Sequence, residues 1–435
     1  MRIRDKVKRK FFGFLFIGVL CNMAYGAEIN KKILNNGLVI LTKESRANDI
    51  VAIQIFLKMG TGYEKEEEAG LSNIVQNLLL KGTAKRNATE LANDIESIGA
   101  RITTSAERDY GTVQLYVIKD KLDKGLEILF DILQNPTFPE DKVEQEKKIV
   151  MEQIKARKDE MLPTAFDLFQ ERFYDNHPYH KTRLGYPETV GKFDRQTILK
   201  FYKDYYVPNN MVWSAVGNFN SSKLIKAIER NFSGLPPKEL PSQEGKTVPM
   251  HTEEVSNFIE RESQAAWMVI GYDAPHIYDK DYAAMEVLES IMGGSMNSRL
   301  FIALREKKGL GYQVGSIYEA RSGPSFYANY IGVDPGQLDE AKSEILKEME
   351  RIRREEVDED ELRRTKAYLK GTFIMAQESN AGQAYLIGRY EILGLGYQYL
   401  FEYPKAIDNV KVEDILKAAG KYLKSYTLSA IVPKK

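Results

Sequence analysis

Residues 70–83 read GLSNIVQNLLLKGT, and this stretch decides the fold assignment. Its apolar residues follow the i, i+3, i+4, i+7, i+8 spacing of an amphipathic helix: Leu71, Ile74, Val75, Leu78 and Leu79. Asn73, Gln76 and Asn77 then share the polar face of that helix. Taken alone, such a segment is a plain buried helix whose polar residues face solvent. Its three neutral amides are weak metal ligands and cannot act as general bases near neutral pH.

Together with the preceding segment 60–64, GTGYE, this stretch resembles the inverted zinc motif, His-x-x-Glu-His, of the pitrilysin-like or insulinase-like peptidases. In active members two histidines bind zinc and the glutamate activates a water molecule, which requires imidazole lone pairs and a carboxylate. Asn73, Gln76 and Asn77 stand at these three positions. The resemblance therefore implies that this chain holds no metal or other cofactor and is inactive by itself.

The third zinc ligand of the family is a glutamate on a later helix, and the equivalent position falls on Gln153 within the segment 150–154, VMEQI. Glu146 and Glu152 are the carboxylates that remain nearby. A shift of register would turn Glu152 into a ligand but would restore no histidine. The resemblance thus gives four degenerate zinc-site positions: Asn73, Gln76, Asn77 and Gln153.

A second informative stretch spans residues 294–312, GSMNSRLFIALREKKGLGY. Its apolar spacing predicts a short helix that Gly309 ends, followed by a strand that begins at Tyr312. On the residues alone, Arg305 is a surface residue paired with an acid such as Glu306, and Tyr312 is a core aromatic.

The same stretch resembles the C-terminal-half motif of the family, whose arginine and tyrosine, seven residues apart, reach across a cavity to the zinc site of the other half. Arg305 and Tyr312 match that pair and its spacing. The resemblance implies that these two side chains are catalytic: they hold the substrate main chain and stabilise the oxyanion that forms on the scissile carbonyl.

A lost metal site beside a retained arginine and tyrosine resembles the non-zinc subunit of heterodimeric bacterial members of the family. The resemblance implies a homologous partner subunit that has an intact His-x-x-Glu-His motif and supplies zinc. It also implies that unfolded peptides are the substrates of the pair. Two alternatives stay open: a non-catalytic scaffold or binding protein, and a self-associating dimer that holds peptides without cutting them.

The N-terminus has the features of a signal peptide. Six basic residues and one acidic residue fall within residues 1–26, together with the apolar run 11–20 and the small-residue site Ala24-Tyr25-Gly26. We expect cleavage near Gly26 and a periplasmic or exported protein; an uncleaved anchor is the alternative. The one cysteine, Cys21, lies in this segment, so the remainder has no disulfide.

Composition describes an ordinary globular protein. The 435 residues are 43% hydrophobic and 29% charged, which suits more than one sizeable domain. Without residues 1–26 the net charge is about −5, so we expect no nucleic-acid partner.

An internal repeat predicts the domain organisation. Residues 117–126 lead through a helix to 140–143 and a second helix, and residues 333–341 lead in the same way to 359–362. We therefore predict an α+β fold of two homologous domains, each a largely antiparallel sheet packed with helices, which together form half of a clamshell. The predicted segments are a signal peptide at 1–26, an N-terminal domain at 27–234, a Pro-rich linker at 235–250 and a C-terminal domain at 251–435.

Several elements of the first domain have clear local signals. Alternation and turn residues predict five strands: 38–42, 51–59, 101–105, 112–118 and 212–216. We expect the first two to be joined in a hairpin around Asn48-Asp49. The strand 101–105 matches the region where family members add a peptide as an extra strand. His177 and His180 are separated by a proline and a tyrosine, which favours loop packing over metal binding.

Overall fold

The computed structural model describes residues 28–241 and 250–434. The predicted signal peptide, Cys21 and residues 242–249 of the predicted linker lie outside these ranges. We refer to residues 28–234 as the first half and to residues 251–434 as the second half. No helix within the described ranges is both long and apolar enough to cross a membrane.

Each half contains one sheet. The first sheet has six strands: β1 Ile29–Ile33, β2 Val39–Glu44, β3 Ile50–Leu57, β4 Arg101–Ala106, β5 Gly111–Ile118 and β6 Met211–Gly217. The second has five: β7 Val255–Arg261, β8 Ala266–Ala274, β9 Gln313–Glu319, β10 Ser325–Val333 and β11 Tyr426–Pro433.

Helices cover both sheets. In the first half they are α1 Leu71–Leu78, α2 Ala88–Ser97, α3 Leu122–Gln134, α4 Glu140–Arg157, α5 Met161–Tyr174, α6 Pro187–Val190, α7 Arg195–Tyr205 and α8 Ser221–Phe232. In the second half they are α9 Tyr282–Met292, α10 Leu338–Arg354, α11 Glu359–Met375, α12 Asn380–Ile392, α13 Tyr399–Asn409 and α14 Val412–Tyr422. A π-helix, Phe301–Glu306, precedes β9.

The two sheets share one topology. The first has the order β1-β2-β6-β3-β5-β4 and the second β7-β11-β8-β10-β9. The pairs β2–β6 and β7–β11 are parallel, and every other pair is antiparallel. Without β1, the two orders and strand directions correspond one to one. The predicted α+β fold with a repeated, largely antiparallel sheet is confirmed.

The predicted hairpin around Asn48-Asp49 is wrong, because β6 lies between β2 and β3. Val39 of β2 pairs with Val212, and Leu57 of β3 pairs with Met211. All seven residues of β6 are buried, so this strand needs a hydrogen-bonded neighbour on each edge. The chain between β2 and β3 therefore crosses over β6 instead of closing a two-stranded turn.

The halves exchange helices. Helix α12 of the second half packs on β3 and β6 of the first sheet, and α5 of the first half packs on β8 and β11 of the second. A Cβ on Gly388 of α12 would lie 2.3 Å from Phe56 Cε2, and a Cβ on Gly271 of β8 would lie 2.1 Å from Phe169 Cζ. Such distances are far inside van der Waals contact, so each glycine permits a close approach.

A shared core follows from this exchange. One hydrophobic cluster combines α9, α12 and α14 of the second half with Phe56 and Val212 of the first sheet. A separate cluster fills the first half between its sheet and helices α1, α3 and α7. The domain boundaries at 27–234 and 251–435 stay predictions, because this core crosses them.

Candidate functional site

A cavity of about 930 Å³ is lined by residues of both halves. The first half contributes Asn73 and Asn77 of α1 and the segment 104–110, which leaves the edge strand β4. The second half contributes the segment 317–321 at the end of β9 and side chains of α9, α12 and α13, including Arg389. The predicted motif helix therefore faces a solvent-accessible chamber rather than bulk solvent.

A buried carboxylate fixes the start of α1. Glu64 Oε2 accepts a hydrogen bond from the backbone N–H of Gly70 at 3.0 Å, and Oε1 accepts one from that of Ser72 at 2.7 Å. These are free donors of the first helical turn, where negative charge is also favoured by the helix dipole. Gly70 has a φ of 91°, and a Cβ there would lie 2.5 Å from the carbonyl oxygen of Leu184. The local sequence thus sets the direction in which α1 enters the cavity wall.

Burial raises the pKa of Glu64 to about 7, although the hydrogen bonds from Ser72 and Gly70 act in the opposite direction. The folded state then holds this proton more tightly than the unfolded state, where the pKa is near 4.5. Stability from this group is complete below pH 4.5 and is lost as the pH rises towards 7. We expect Glu64→Gln to flatten this part of the pH–stability curve.

The measurement is the urea midpoint of unfolding between pH 4 and pH 8 for the wild type and Glu64→Gln. Glu67→Gln is the matched control, because Glu67 is an exposed neighbour. An unchanged slope in Glu64→Gln would contradict the assignment.

Two of the three amides of α1 direct their N–H groups at acceptor atoms of the protein. Asn77 Nδ2 donates to Glu146 Oε1 at 3.0 Å, and Gln76, which is fully buried, directs Nε2 at Met59 Sδ at 3.6 Å. Asn73 Nδ2 is buried without an acceptor among the described residues. Gln76 Oε1 is also buried without a hydrogen-bond partner among the described residues. Neutral amide oxygens are weak zinc ligands, and the N–H groups of Gln76 and Asn77 are directed at protein acceptors.

The amide set therefore does not fit zinc. Glu146 is 4% exposed, and its other oxygen lies 3.7 Å from Lys81 Nζ, so its charge is already balanced by the protein. The described residues contain no group of three or more His, Cys, Asp or Glu side chains placed to hold a metal ion.

Gln153 is not brought into this arrangement. It is exposed on α4 and does not line the cavity, whereas the same helix buries Val143, Glu146 and Val150. Its equivalence to a zinc ligand stays a prediction. Asn73, Gln76 and Asn77 do lie together, with Glu146 as their acidic neighbour.

The predicted helix before β9 is present but has π geometry. The N–H of Lys307 donates to the carbonyl oxygen of Ile302 at 3.0 Å, five residues earlier. Gly309 ends the turn with a φ of 66°, and its N–H donates to the carbonyl oxygen of Arg305 at 3.2 Å. Gln313, one residue after Tyr312, begins the strand.

Arg305 and Tyr312 are both exposed. Tyr312 has 70% of its surface accessible, so the interpretation as a core aromatic is wrong. Arg305 donates to the carbonyl oxygen of Gly311 and makes no ion pair with Glu306 or any other described acid. The backbone N–H of Tyr312 donates to Gly332 O at 2.7 Å, which anchors the main chain and leaves the phenol ring outside the core.

This pair lies away from the cavity of its own chain. The cavity is lined by the last residues of β9, whereas Tyr312 precedes the first. Tyr312 and Glu319 are thus roughly 20 Å apart along an extended strand. The chain does not bring Arg305 and Tyr312 to the amides of α1.

Strand β4 has a free edge beside the cavity. It pairs with β5 alone, and Thr104, Ser105 and Ala106 line the chamber. Thr104 Oγ1 donates to the carbonyl oxygen of Gln76 at 2.9 Å, which ties the strand to α1. Main-chain donors and acceptors on this edge are unpaired within the sheet, and the addition of a peptide at 101–105 stays a prediction.

Sequence reasoning missed the contacts that join the halves at the cavity. Asp109 accepts a hydrogen bond from Tyr179 of its own half and, at 2.7 Å, one from Ser322 Oγ of the second half. The hydroxyls of Tyr110 and Tyr385 lie 2.6 Å apart. These partners are separated by up to 275 residues, and no local pattern signals such contacts.

The histidines pack in their loop. His177 Nδ1 accepts a hydrogen bond from the backbone N–H of Tyr179 at 3.2 Å, and burial lowers the pKa of His177 to about 4. His180 Nε2 lies 3.3 Å from Glu66 Oε2.

Two family models match the chain. The model described as "Insulinase (Peptidase family M16)" matches residues 39–186, which contain α1 and α4. The model described as "Peptidase M16 inactive domain" matches residues 192–369, which contain Arg305 and Tyr312. The word "inactive" in this description therefore applies to residues 192–369 and not to the amide positions of α1.

Curated relatives extend over nearly the full length. An uncharacterised zinc protease of Rickettsia felis is 30% identical over 401 residues, covering 92% of this chain and 96% of its own. The uncharacterised zinc protease YmxG of Bacillus subtilis is 27% identical and covers 93% and 98%. Zinc protease PqqE of Helicobacter pylori is 26% identical and covers 90% and 89%.

Solved structures share the fold. A protease from Helicobacter pylori superposes with a TM-score of 0.89 at 24% identity, covering 94% of this chain and 100% of its own. A peptidase M16 inactive domain from Pseudomonas fluorescens superposes with a TM-score of 0.86 at 20% identity, covering 94% and 98%.

Proposed function

The chain belongs to the insulinase family of peptidases (Peptidase family M16), and on that premise we propose that it is the non-metal-binding subunit of a heterodimeric zinc metalloendopeptidase. It binds unfolded peptides and supplies Arg305 and Tyr312 to the zinc site of a homologous partner that has an intact His-x-x-Glu-His motif. The zinc belongs to the partner, and this chain alone is inactive. The N-terminal features of residues 1–26 support a periplasmic or exported location for the pair.

One observation carries the proposal: this chain has amides in its own metal positions but leaves Arg305 and Tyr312 exposed and outside its own cavity. Arg305 is bonded to one protein acceptor, the carbonyl oxygen of Gly311, and the ring of Tyr312 is 70% exposed. Their exposure makes both side chains accessible to a second chain.

The chemistry of these two side chains suits peptide hydrolysis. A guanidinium and a phenol hydroxyl donate hydrogen bonds to a carbonyl oxygen, and those bonds strengthen when the oxygen becomes negatively charged. Edge strand β4 offers main-chain donors and acceptors, which bind the main chain of a peptide whatever its side chains are. Together they support a broad preference for extended, unfolded peptides.

A non-catalytic scaffold or peptide-binding protein is the second candidate. The chain's own cavity of about 930 Å³ and the free edge of β4 favour it, because both are present without any partner. In that case Arg305 and Tyr312 hold a peptide, or a second copy of the chain, without contributing to its cleavage.

The test compares peptide hydrolysis by this chain, by a zinc-bearing homologue from the same organism, and by the co-purified pair. We expect the chain alone to contain no stoichiometric zinc and to be inactive, and we expect the pair to be active. A homologue that is equally active with and without this chain would instead support the scaffold function.

A further inference from the structure

Five arginines line the cavity, and four of them are bonded to oxygen atoms of the protein. Arg157 pairs with Asp167, Arg183 with Glu107, and Arg321 with Glu319. Arg108 donates to backbone carbonyls, including that of Lys181 at 2.8 Å, and to Gln170 Oε1. The remaining one is Arg389. Its guanidinium has no hydrogen-bond acceptor and no ion pair among the residues that the structure describes.

Arg389 is held firmly in place. It lies on α12, which packs on the first sheet and begins at Asn380, whose Nδ2 donates to Ile50 O at 2.7 Å. The guanidinium carbon is 6.0 Å from the ring centroid of Tyr390, and Tyr110 and Tyr282 line the same cavity. Aromatic faces favour a cation nearby but supply no in-plane acceptor for its N–H groups.

An acid in the same wall is bonded to a tyrosine and not to Arg389. Glu286 on α9 accepts a hydrogen bond from Tyr403 OH at 3.3 Å and forms no ion pair with Arg389. Burial raises the pKa of Glu286, while hydrogen bonds from Tyr282 and Tyr403 and the positive charge of Arg389 act in the opposite direction. Among the described residues, Arg389 is therefore the one cavity arginine whose guanidinium is bonded to no protein oxygen.

We propose that Arg389 binds a carboxylate of a peptide held in the cavity. A planar guanidinium matches a carboxylate with two parallel hydrogen bonds, so a ligand carboxylate would supply the acceptors that the protein does not. Two sources share this chemistry: the C-terminal carboxylate of a peptide and the side chain of an aspartate or glutamate within it. The inference rests on the peptide-binding part of the proposed function but does not require the partner subunit.

The test is isothermal titration calorimetry with the full chain and short N-acetylated peptides of one sequence without Asp or Glu. One peptide has a free C-terminal carboxylate, one is C-terminally amidated, and one is amidated with a single internal Glu. We expect the free acid to bind at least about tenfold more tightly than the amide, a difference of about 1.4 kcal/mol. If the internal Glu restores affinity to the amide, the site accepts side-chain carboxylates as well.

Variants assign the preference to one residue. Arg389→Met should abolish the preference for the free acid, and Arg389→Lys should retain part of it because the charge remains. Arg183→Met is the matched control, since Arg183 lines the same cavity but is bonded to Glu107 at 2.6 Å. Circular dichroism melts check the fold of each variant.

Equal binding of all three peptides to the wild type, or an unchanged preference in folded Arg389→Met, would overturn the proposal. So would the absence of any peptide binding by the chain. These outcomes are distinct from failure of the proposed function, which is measured by hydrolysis in the pair. A chain that shows the carboxylate preference but adds nothing to hydrolysis would leave the Arg389 site in place and remove the catalytic role.

Discussion

Replacing Arg305 with alanine is expected to lower kcat/KM for peptide hydrolysis by the assembled pair by about 100- to 1,000-fold, or about 3 kcal/mol. The guanidinium would donate to the carbonyl oxygen at the point where negative charge develops, and alanine leaves that oxygen without this donor. Tyr312→Phe removes only a hydroxyl from a 70% exposed ring, so its loss of activity isolates the hydrogen bond. Steady-state kinetics on a quenched fluorescent peptide measure both effects.

Two matched variants separate this role from general surface effects. Arg363→Ala removes an exposed arginine that pairs with Asp360, and Tyr368→Phe removes the hydroxyl of a tyrosine with 47% exposure. Both should retain activity within about twofold, and size-exclusion chromatography should show intact assembly for all four variants. Full activity of Arg305→Ala in an intact pair would exclude the catalytic role and favour the scaffold function.

The largest expected loss of stability follows from Arg86→Met. Arg86 follows α1 and bonds to Asp94 at 2.7 Å, Glu127 at 2.6 Å and Asp131 at 2.8 Å. The side chain of Asp131 is only 1% exposed, so without Arg86 its charge is buried without a counterion. Breaking a buried ion pair from one side costs about 3–5 kcal/mol, and urea unfolding monitored by tryptophan fluorescence measures it.

The double variant Arg86→Met with Asp131→Asn provides the decisive comparison. Asparagine keeps the shape of the side chain and can still accept from Thr83 Oγ1, which lies 2.6 Å from Asp131 Oδ2. We expect the double variant to recover most of the loss, because no charge is then stranded. Lys124→Met breaks an exposed pair with Glu127 and should cost about 1 kcal/mol or less. If Arg86→Met costs no more than Lys124→Met, the buried pair is not a major source of stability.

Local signals predicted the elements that lie next to the cavity. The period of the apolar residues in α1 and the alternation in β4 and β5 depend on neighbouring residues, so they are readable in one sequence. The resemblance to a peptidase family then gave the positions of the amides and of the arginine and tyrosine. For α1, β4 and β5, the helix or strand predicted from the spacing of apolar residues agrees with the structure.

Features set by distant contacts could not be predicted in this way. The turn residues Asn48-Asp49 indicate a hairpin, but a strand that arrives more than 150 residues later separates its two arms. Strand β1 exposes four of its five residues and has no apolar alternation to reveal it. Arg305 lies in a π-helix, in which hydrogen bonds join residues five apart. The i, i+4 spacing used to predict α-helices does not distinguish this geometry.

Arg389 in the cavity wall could not be predicted from the sequence for the same reason. Arg389 is a polar residue on a helix of low amphipathicity, and nothing near it in the sequence indicates chemistry. Its significance appears only when the other four arginines of the wall are seen to be bonded to oxygen. Whether the N–H groups of an arginine are bonded depends on contacts with distant residues, so the sequence alone does not reveal such a site.

The exchange of α5 and α12 has a mechanical consequence. Each half covers the sheet of the other, and Gly271 and Gly388 let the exchanged helices approach so closely that sliding would bring backbone and rings into collision. A hinge inside this chain would have to pull a helix off a sheet and open a core to water. The packing therefore opposes a hinge within this chain, and in the proposed pair a gate that admits a peptide would lie at the boundary between the two chains.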